Sequence, residues 1–191
     1  MTRVYLPPAD VAAPAPRDRY DAVTIALHWV TAALVLVLFG TAMLWQHAPR
    51  EWGLRSLQEI HVAVGIALTA VLVGRLVWRF SAARRLPATG TPLARRLSRI
   101  VHFGLYALLA VQIVLGFGTQ WFGGEALDFF GWFSIPSPFT ASRLMSHQLE
   151  SLHNIAAWTL IYLAGGHAAA ALIHRYVLRD GVLKRMLPTA E

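Results

Sequence analysis

Residues 151–176 read SLHNIAAWTLIYLAGGHAAAALIHRY, and up to residue 174 the run holds no Asp, Glu, Lys or Arg. A helix needs about 20 apolar residues to cross the hydrocarbon of a bilayer. This run is long enough to span and, with its flanks (about 148–176), to tilt or project from the membrane. Working outward, three more runs have the same character, at about 22–45, 58–80 and 99–121. Four spans joined by connections predict an all-α fold, a transmembrane four-helix bundle.

Composition agrees. Of 191 residues, 56% are hydrophobic and 14% charged, with a mean hydropathy of +0.49. Soluble domains carry roughly 25% charged residues. The formal net charge of +7 would suit a nucleic-acid binder if it covered a soluble surface. Here the charges lie between long uncharged runs, so no nucleic-acid partner is expected and membrane lipid is the surrounding medium. The absence of cysteine excludes disulfides, iron–sulfur clusters, thiolate metal sites and thioether-attached haem.

The basic residues orient the bundle. The first stretch carries Arg3, Arg17 and Arg19. The second connection with its helix ends carries Arg75, Arg79, Arg84, Arg85, Arg95, Arg96 and Arg99, and the C-terminal end carries Arg175, Arg179, Lys184 and Arg185. Only Arg50, Arg55 and Arg143 fall on the other side. The positive-inside rule predicts a multi-pass membrane protein with both termini and the second connection cytoplasmic. Residues 1–20, with Pro7, Pro8, Pro14 and Pro16, read as a disordered cytoplasmic tail without a cleavable signal pattern. Residues 21–178 form the membrane domain and 179–191 a cytoplasmic tail. Trp45, Trp52, Trp78, Trp121, Trp132 and Tyr176 suit the interfacial belts. The long outer connection, about 122–147, is aromatic and predicts an interfacial element or cap that could dock a protein redox partner.

Histidines carry the chemistry. Six of the eight fall within the spans: His28, His61, His102, His153, His167 and His174. His47 and His147 sit at the outer boundary, where solvation is the expected fate. His153 and His167 are 14 residues apart, nearly four helical turns, so they share a face at depths roughly 21 Å apart. His28 enters its span at the level of His167, and His61 at the level of His153. Two pairs at two depths result, His28 with His167 and His61 with His153.

Two neutral imidazoles facing each other suit one haem iron with both axial positions filled. Two such haems would connect the membrane faces. Zinc would want three or four ligands at one depth, and buried hydrogen-bonding or proton-relay histidines are the plainer reading of any one residue. Small residues (Gly65 after His61; Gly165, Gly166, Ala168 and Ala169 around His167) suit a thinned helix face or ordinary helix packing. Arg75 lies 14 residues after His61 and reaches the inner level, where a guanidinium could pair with a haem propionate. Arg79 reads as a snorkelling interfacial residue. His174 and His102 could each bond a quinone carbonyl, supply a proton, bond a propionate or sit among headgroups.

The stretches RYDAVTIALHWVTAALVLVLFG (19–40), EIHVAVG (59–65), VHFGLYALLAVQIVLG (101–116) and residues 151–176 resemble the bacterial cytochrome b561 family of di-haem membrane cytochromes, which includes the superoxide:ubiquinone oxidoreductase. LHW, IHxxxG and GGHAAAALIH are the most specific parts. The resemblance covers about 19–188 and implies a bacterial cytoplasmic (inner) membrane. It implies two haem b groups, the inner ligated by His28 and His167 and the outer by His61 and His153. It also implies a propionate partner in Arg75, a quinone-linked histidine in His174, ubiquinone as acceptor, and superoxide or another periplasmic electron donor. No catalytic residue follows from it. An electron-transfer subunit that relays electrons between the quinone pool and a dehydrogenase- or hydrogenase-type partner is the second expectation. The outer face departs from an anion attractor, because Glu51, Glu59, Glu125, Asp128 and Glu150 outnumber its three arginines.

Overall fold

The computed structural model describes residues 19–47, 49, 55–84, 86–87 and 90–187. Residues 1–18 of the expected N-terminal tail, and residues 188–191 at the other end, lie outside the described residues. So do Arg50, Glu51 and Trp52 and the side chain of Arg55.

Lipid offers no hydrogen-bond partner to a peptide group, so long apolar runs satisfy their backbone internally as helices. Four such helices form: α1 (Ala22–His47), α2 (Arg55–Ser81), α3 (Pro92–Phe122) and α4 (Arg143–Tyr176), all long and apolar enough to cross a membrane. Each outruns its expected span at one or both ends, except at the C-terminus of α4. Local chemistry sets several of the starts. Asp21 caps α1 by accepting from the Thr24 N–H at 2.8 Å. Thr91 caps α3, with Pro92 in the first turn. Ser142 caps α4 by accepting from the Met145 N–H at 3.4 Å.

The helices pack most closely as two antiparallel pairs, α1 with α2 and α3 with α4, while α2 and α3 touch little. Leu68, Leu72, Leu109 and Leu160 form the buried core, with Leu34, Val35 and Leu38 of α1 against them. By position on α2 and α4, this leucine layer lies between the two histidine levels. Outward residues such as Leu36, Val77, Phe103 and Tyr162 stay exposed, as a lipid-facing surface requires.

The outer connection holds the one departure from an all-helical chain among the described residues. Strands β1 (Leu127–Phe129) and β2 (Phe133–Ile135) pair antiparallel, with Phe129 opposite Phe133. Phe130 (φ 51°) and Gly131 (φ 75°) make the tight turn, and the Asp128 carboxylate accepts from the Gly131 N–H at 2.7 Å. Leu127 is 1% exposed, whereas Trp132 at the tip is 85% exposed. The interfacial element is therefore a hairpin with one foot in the bundle, and α4 begins at Arg143 rather than near 148.

The opposite, basic end is cross-tied. A 3-10 turn, Leu183–Met186, returns beneath the bundle. The Met186 carbonyl accepts from the Trp29 indole at 2.7 Å, and the Arg185 carbonyl from the Tyr20 N–H at 3.2 Å. The Arg185 guanidinium donates to the Pro87 carbonyl at 3.0 Å.

Asp21 joins three elements there. Its carboxylate accepts from the Thr24 N–H and hydroxyl, the Trp78 indole at 2.9 Å and the Arg84 N–H at 3.1 Å. Burial alone would raise its pKa, but these four donors outweigh it and hold the carboxyl at about 2, below 3.8. Its stabilisation is therefore complete above about pH 4 and is lost as pH falls towards 2. Asp21→Ala is expected to lower stability by about 1–2 kcal/mol, the scale of a lost helix cap, measured by unfolding of the detergent-solubilised protein near neutral pH.

Candidate functional site

Helix α4 sets the frame, because its 14-residue spacing turns His153 and His167 towards the seam between the two helix pairs. The structure brings His61 of α2 opposite His153, with ring centroids 6.2 Å apart and planes at 72°. It brings His28 of α1 opposite His167, at 6.4 Å and 72°. A metal–imidazole bond is about 2.0–2.1 Å. Two such bonds in line, plus two ring radii, come to roughly 6 Å, so each pair is spaced for one metal atom between facing nitrogens.

The hairpin-end pair faces an open cavity of about 880 Å³, a volume that includes the part open to the surface. Val35, Phe39, Gly65, Gln112, Leu127 and Trp158 are among its lining residues. Hydrogen bonds fix the donor chemistry there. The Thr41 hydroxyl donates to the carbonyls of Val37 and Leu38 at 2.9 and 3.0 Å, so towards His61 Nδ1, at 3.1 Å, it accepts. His61 thus carries its proton on Nδ1 and keeps the Nε2 lone pair free, the arrangement a metal-binding imidazole needs.

His153 is held differently. The Gln112 amide donates to its Nε2 at 3.3 Å, which also places the proton on Nδ1. His153 Nδ1 and Gln112 Oε1 are buried without a hydrogen-bond partner. Two neutral imidazoles in a cavity with apolar walls, His61 with Nε2 free and His153 with Nε2 accepting from Gln112, fit an iron porphyrin in spacing, and in donor set once the Gln112 amide yields that bond. Gly116 gives the ring room, because a Cβ there would stand 3.0 Å from His153 Cε1 and press on it. At Gly65, Gly165 and Gly166 a Cβ would meet nothing within 4 Å, so open space flanks both levels.

The second level is richer in cations. Arg75 Nη2 lies 3.2 Å from His28 Nδ1, and its guanidinium stands 5.1 Å over the Tyr106 ring. His102 joins this group, with its ring 5.1 Å from that of His167. Its Nδ1–H donates to the Ser98 carbonyl at 2.6 Å, which leaves Nε2 free on an exposed side chain. His174 stands apart from the pair and contacts Asp180. Of the boundary histidines, His147 is exposed and bonds Glu150 at 3.3 Å, and His47 Nδ1 bonds the Met43 carbonyl at 2.9 Å. Among the described residues no three His, Cys, Asp or Glu side chains gather around a common point as for a zinc site.

Thr41, Gln112, Gly116, Tyr106 and Asp180 were not singled out by the sequence. Gln112 left a signal, as the one amide within the apolar run 100–118. Thr41 left none, because threonine in a span commonly bonds only its own helix.

Comparison with known proteins supplies an independent view. A family profile described as "Prokaryotic cytochrome b561" matches residues 19–189. "Cytochrome b561 homolog 2" of Escherichia coli (strain K12) is 30% identical over 173 residues, covering 89% of this chain and 92% of that protein. "Probable superoxide oxidase CybB" of Yersinia pestis is 27% identical, covering 89% of this chain and 96% of that protein. "Cytochrome b562" of Cereibacter sphaeroides is 30% identical, covering 88% and 94%.

Proposed function

The chain belongs to the prokaryotic cytochrome b561 family, and from that premise we propose that it holds two b haems and moves electrons from periplasmic superoxide to ubiquinone. Haem b binding and membrane electron transfer come with the family. The observation that supports two haems is the pair of facing histidine pairs at two levels of one bundle.

In this reading His61 and His153 hold the outer haem, and His28 and His167 the inner one. The haems, when bound, supply a one-electron relay between the two membrane faces. The chain's own residues do the rest. Thr41 keeps His61 in the ligating tautomer, and Leu127 of the hairpin closes part of the outer cavity. Arg75, whose guanidinium donates to His28 Nδ1 here, would turn to an inner-haem propionate, and the leucine layer separates the two levels. The basic end faces the cytoplasm. There His102 or His174 meets the quinone, whose reduction needs protons that superoxide oxidation does not release. Two superoxide ions give two O₂ and two electrons, which with two protons convert one quinone to quinol.

Similarity to a protein named as a superoxide oxidase supports superoxide as donor. The carboxylate excess of the outer end favours a second reading, a relay that takes electrons from a protein docked on the exposed hairpin around Trp132. Two measurements on the purified protein decide. Dithionite reduction should give a sharp b-type α-band, with two haems per chain; no such band refutes the di-haem assignment. Superoxide consumption with a ubiquinone analogue should exceed spontaneous dismutation. Equality with it refutes the superoxide reading and leaves the relay.

A further inference from the structure

The last turn of α4 and the loop after it form a device that the two histidine pairs do not use. The Val177 and Leu178 N–H groups both return to the Ile173 carbonyl, at 2.9 and 3.0 Å, and end the helix. Arg179 then takes a left-handed conformation (φ 54°), as does Gly181 (φ 74°). A non-glycine residue in that region costs of order 1–3 kcal/mol and persists where the surroundings hold it. What the turn achieves is specific. The Asp180 N–H donates to the His174 carbonyl at 3.2 Å, which folds Asp180 back under the His174 ring. Asp180 Oδ2 contacts His174 Nδ1, and Oδ1 accepts from the Val182 N–H at 3.2 Å. Both carboxylate oxygens are committed, so the group is fixed in direction. The Val182 and His174 contacts also hold the carboxyl below the usual range, against the opposing effect of burial.

A carboxylate on Nδ1 dictates the tautomer of an imidazole and leaves Nε2 to exchange protons. The two side chains are 33% and 35% exposed, within reach of water, and His174 lies on the helix that carries His167. We propose that Asp180 is a positioning residue for quinone reduction: it holds His174 with Nδ1 protonated, so that Nε2 hands protons to the quinone oxygens. The inference rests on the quinone-reducing reading above. Each proton is taken by His174 Nε2 from water at the basic end and passed to a quinone oxygen, the ring returning to its Nδ1–H form. Two such transfers balance the two electrons that arrive through the protein, and the product is quinol.

The test uses the full-length haem-loaded protein with ¹⁵N-labelled histidine and a ubiquinone analogue. Asp180→Asn should shift the neutral His174 ring from Nδ1–H towards Nε2–H in the ¹⁵N spectrum. It should lower kcat for quinone about tenfold to a hundredfold, below the 10²–10⁴-fold range of general acid–base catalysis. KM and haem content should stay near wild type, and Asp180→Glu should restore part of the rate. His174→Gln, which leaves the turn in place, should lower kcat at least as far. An unchanged tautomer, an unchanged kcat in either variant, or a rate loss that only tracks lost haem would overturn the proposal. A wild-type protein that reduces no quinone would instead overturn the reading beneath it, and the ¹⁵N spectrum would still decide whether Asp180 sets the tautomer.

Discussion

Replacing His153 by alanine should remove one of the two b haems and spare the other, so that the reduced α-band of the purified protein falls by about half. Among the described residues His153 is the one histidine ring that faces His61, so under the proposed pairing its loss would leave His61 as the one imidazole for a haem iron there. The effect should stay local. The other pair lies roughly 21 Å away along α4, behind the layer of Leu68, Leu72, Leu109 and Leu160. Sites separated by more than about 10 Å without shared partners respond almost independently. His61→Ala should give the same half-spectrum, because the two rings serve one iron. Full haem content after either change would refute the pairing, and so would loss of both haems.

His167→Ala should produce the mirror image, with a larger effect on turnover. The outer haem should remain and still accept an electron from superoxide in a single turnover. Steady-state quinone reduction should fall at least about a hundredfold, equivalent to ~2.7 kcal/mol in the barrier, because the electron has no second stop. His102 makes this a demanding test. Its ring is 5.1 Å from that of His167 and its Nε2 is free. If His102 could replace the lost ligand, haem would survive at the inner level with an altered spectrum. Retention of an unaltered inner haem would show that His167 is not its ligand.

The four helices were legible because a bilayer leaves an apolar run of 20 or more residues little choice of backbone. The juxtapositions of His61 with His153 and of His28 with His167 were legible for a related reason. Rigid helices of known rise convert spacing into depth, and the spacing 153 to 167 on one helix fixes both levels at once.

Helix starts were less legible where they lie in polar sequence. Arg95 and Arg96 read as loop on hydropathy, yet Thr91 and Pro92 open α3 seven residues before the expected start at 99. The hairpin escaped because LDFFGWFSI does not alternate, and its register depends on Phe130 and Gly131 accepting positive φ. Asp180 escaped for the same cause. Its contact with His174 exists only because Arg179 takes the left-handed conformation, and no periodicity announces one residue of that kind. Hydrogen bonds between helices, such as Thr41 to His61, depend on rotation about helix axes that sequence spacing leaves free.

The returning turn at Leu183–Met186 bears on the order in which the molecule can be completed. It fastens to Trp29 and Tyr20 at the start of α1, more than 150 residues earlier in the chain. During synthesis α1 and α2 can enter the bilayer and pair as soon as both have emerged, since their contacts are local. At the basic end Asp21 can already tie α1 to Trp78 and Arg84, but the bonds of Trp29 and Tyr20 wait until α4 and the turn beyond it have been made. His28 waits on the same event, because His167 lies on α4. The basic end is therefore closed last, and a ribosome that stalls between α3 and α4 leaves a paired helical hairpin with one half of each histidine pair.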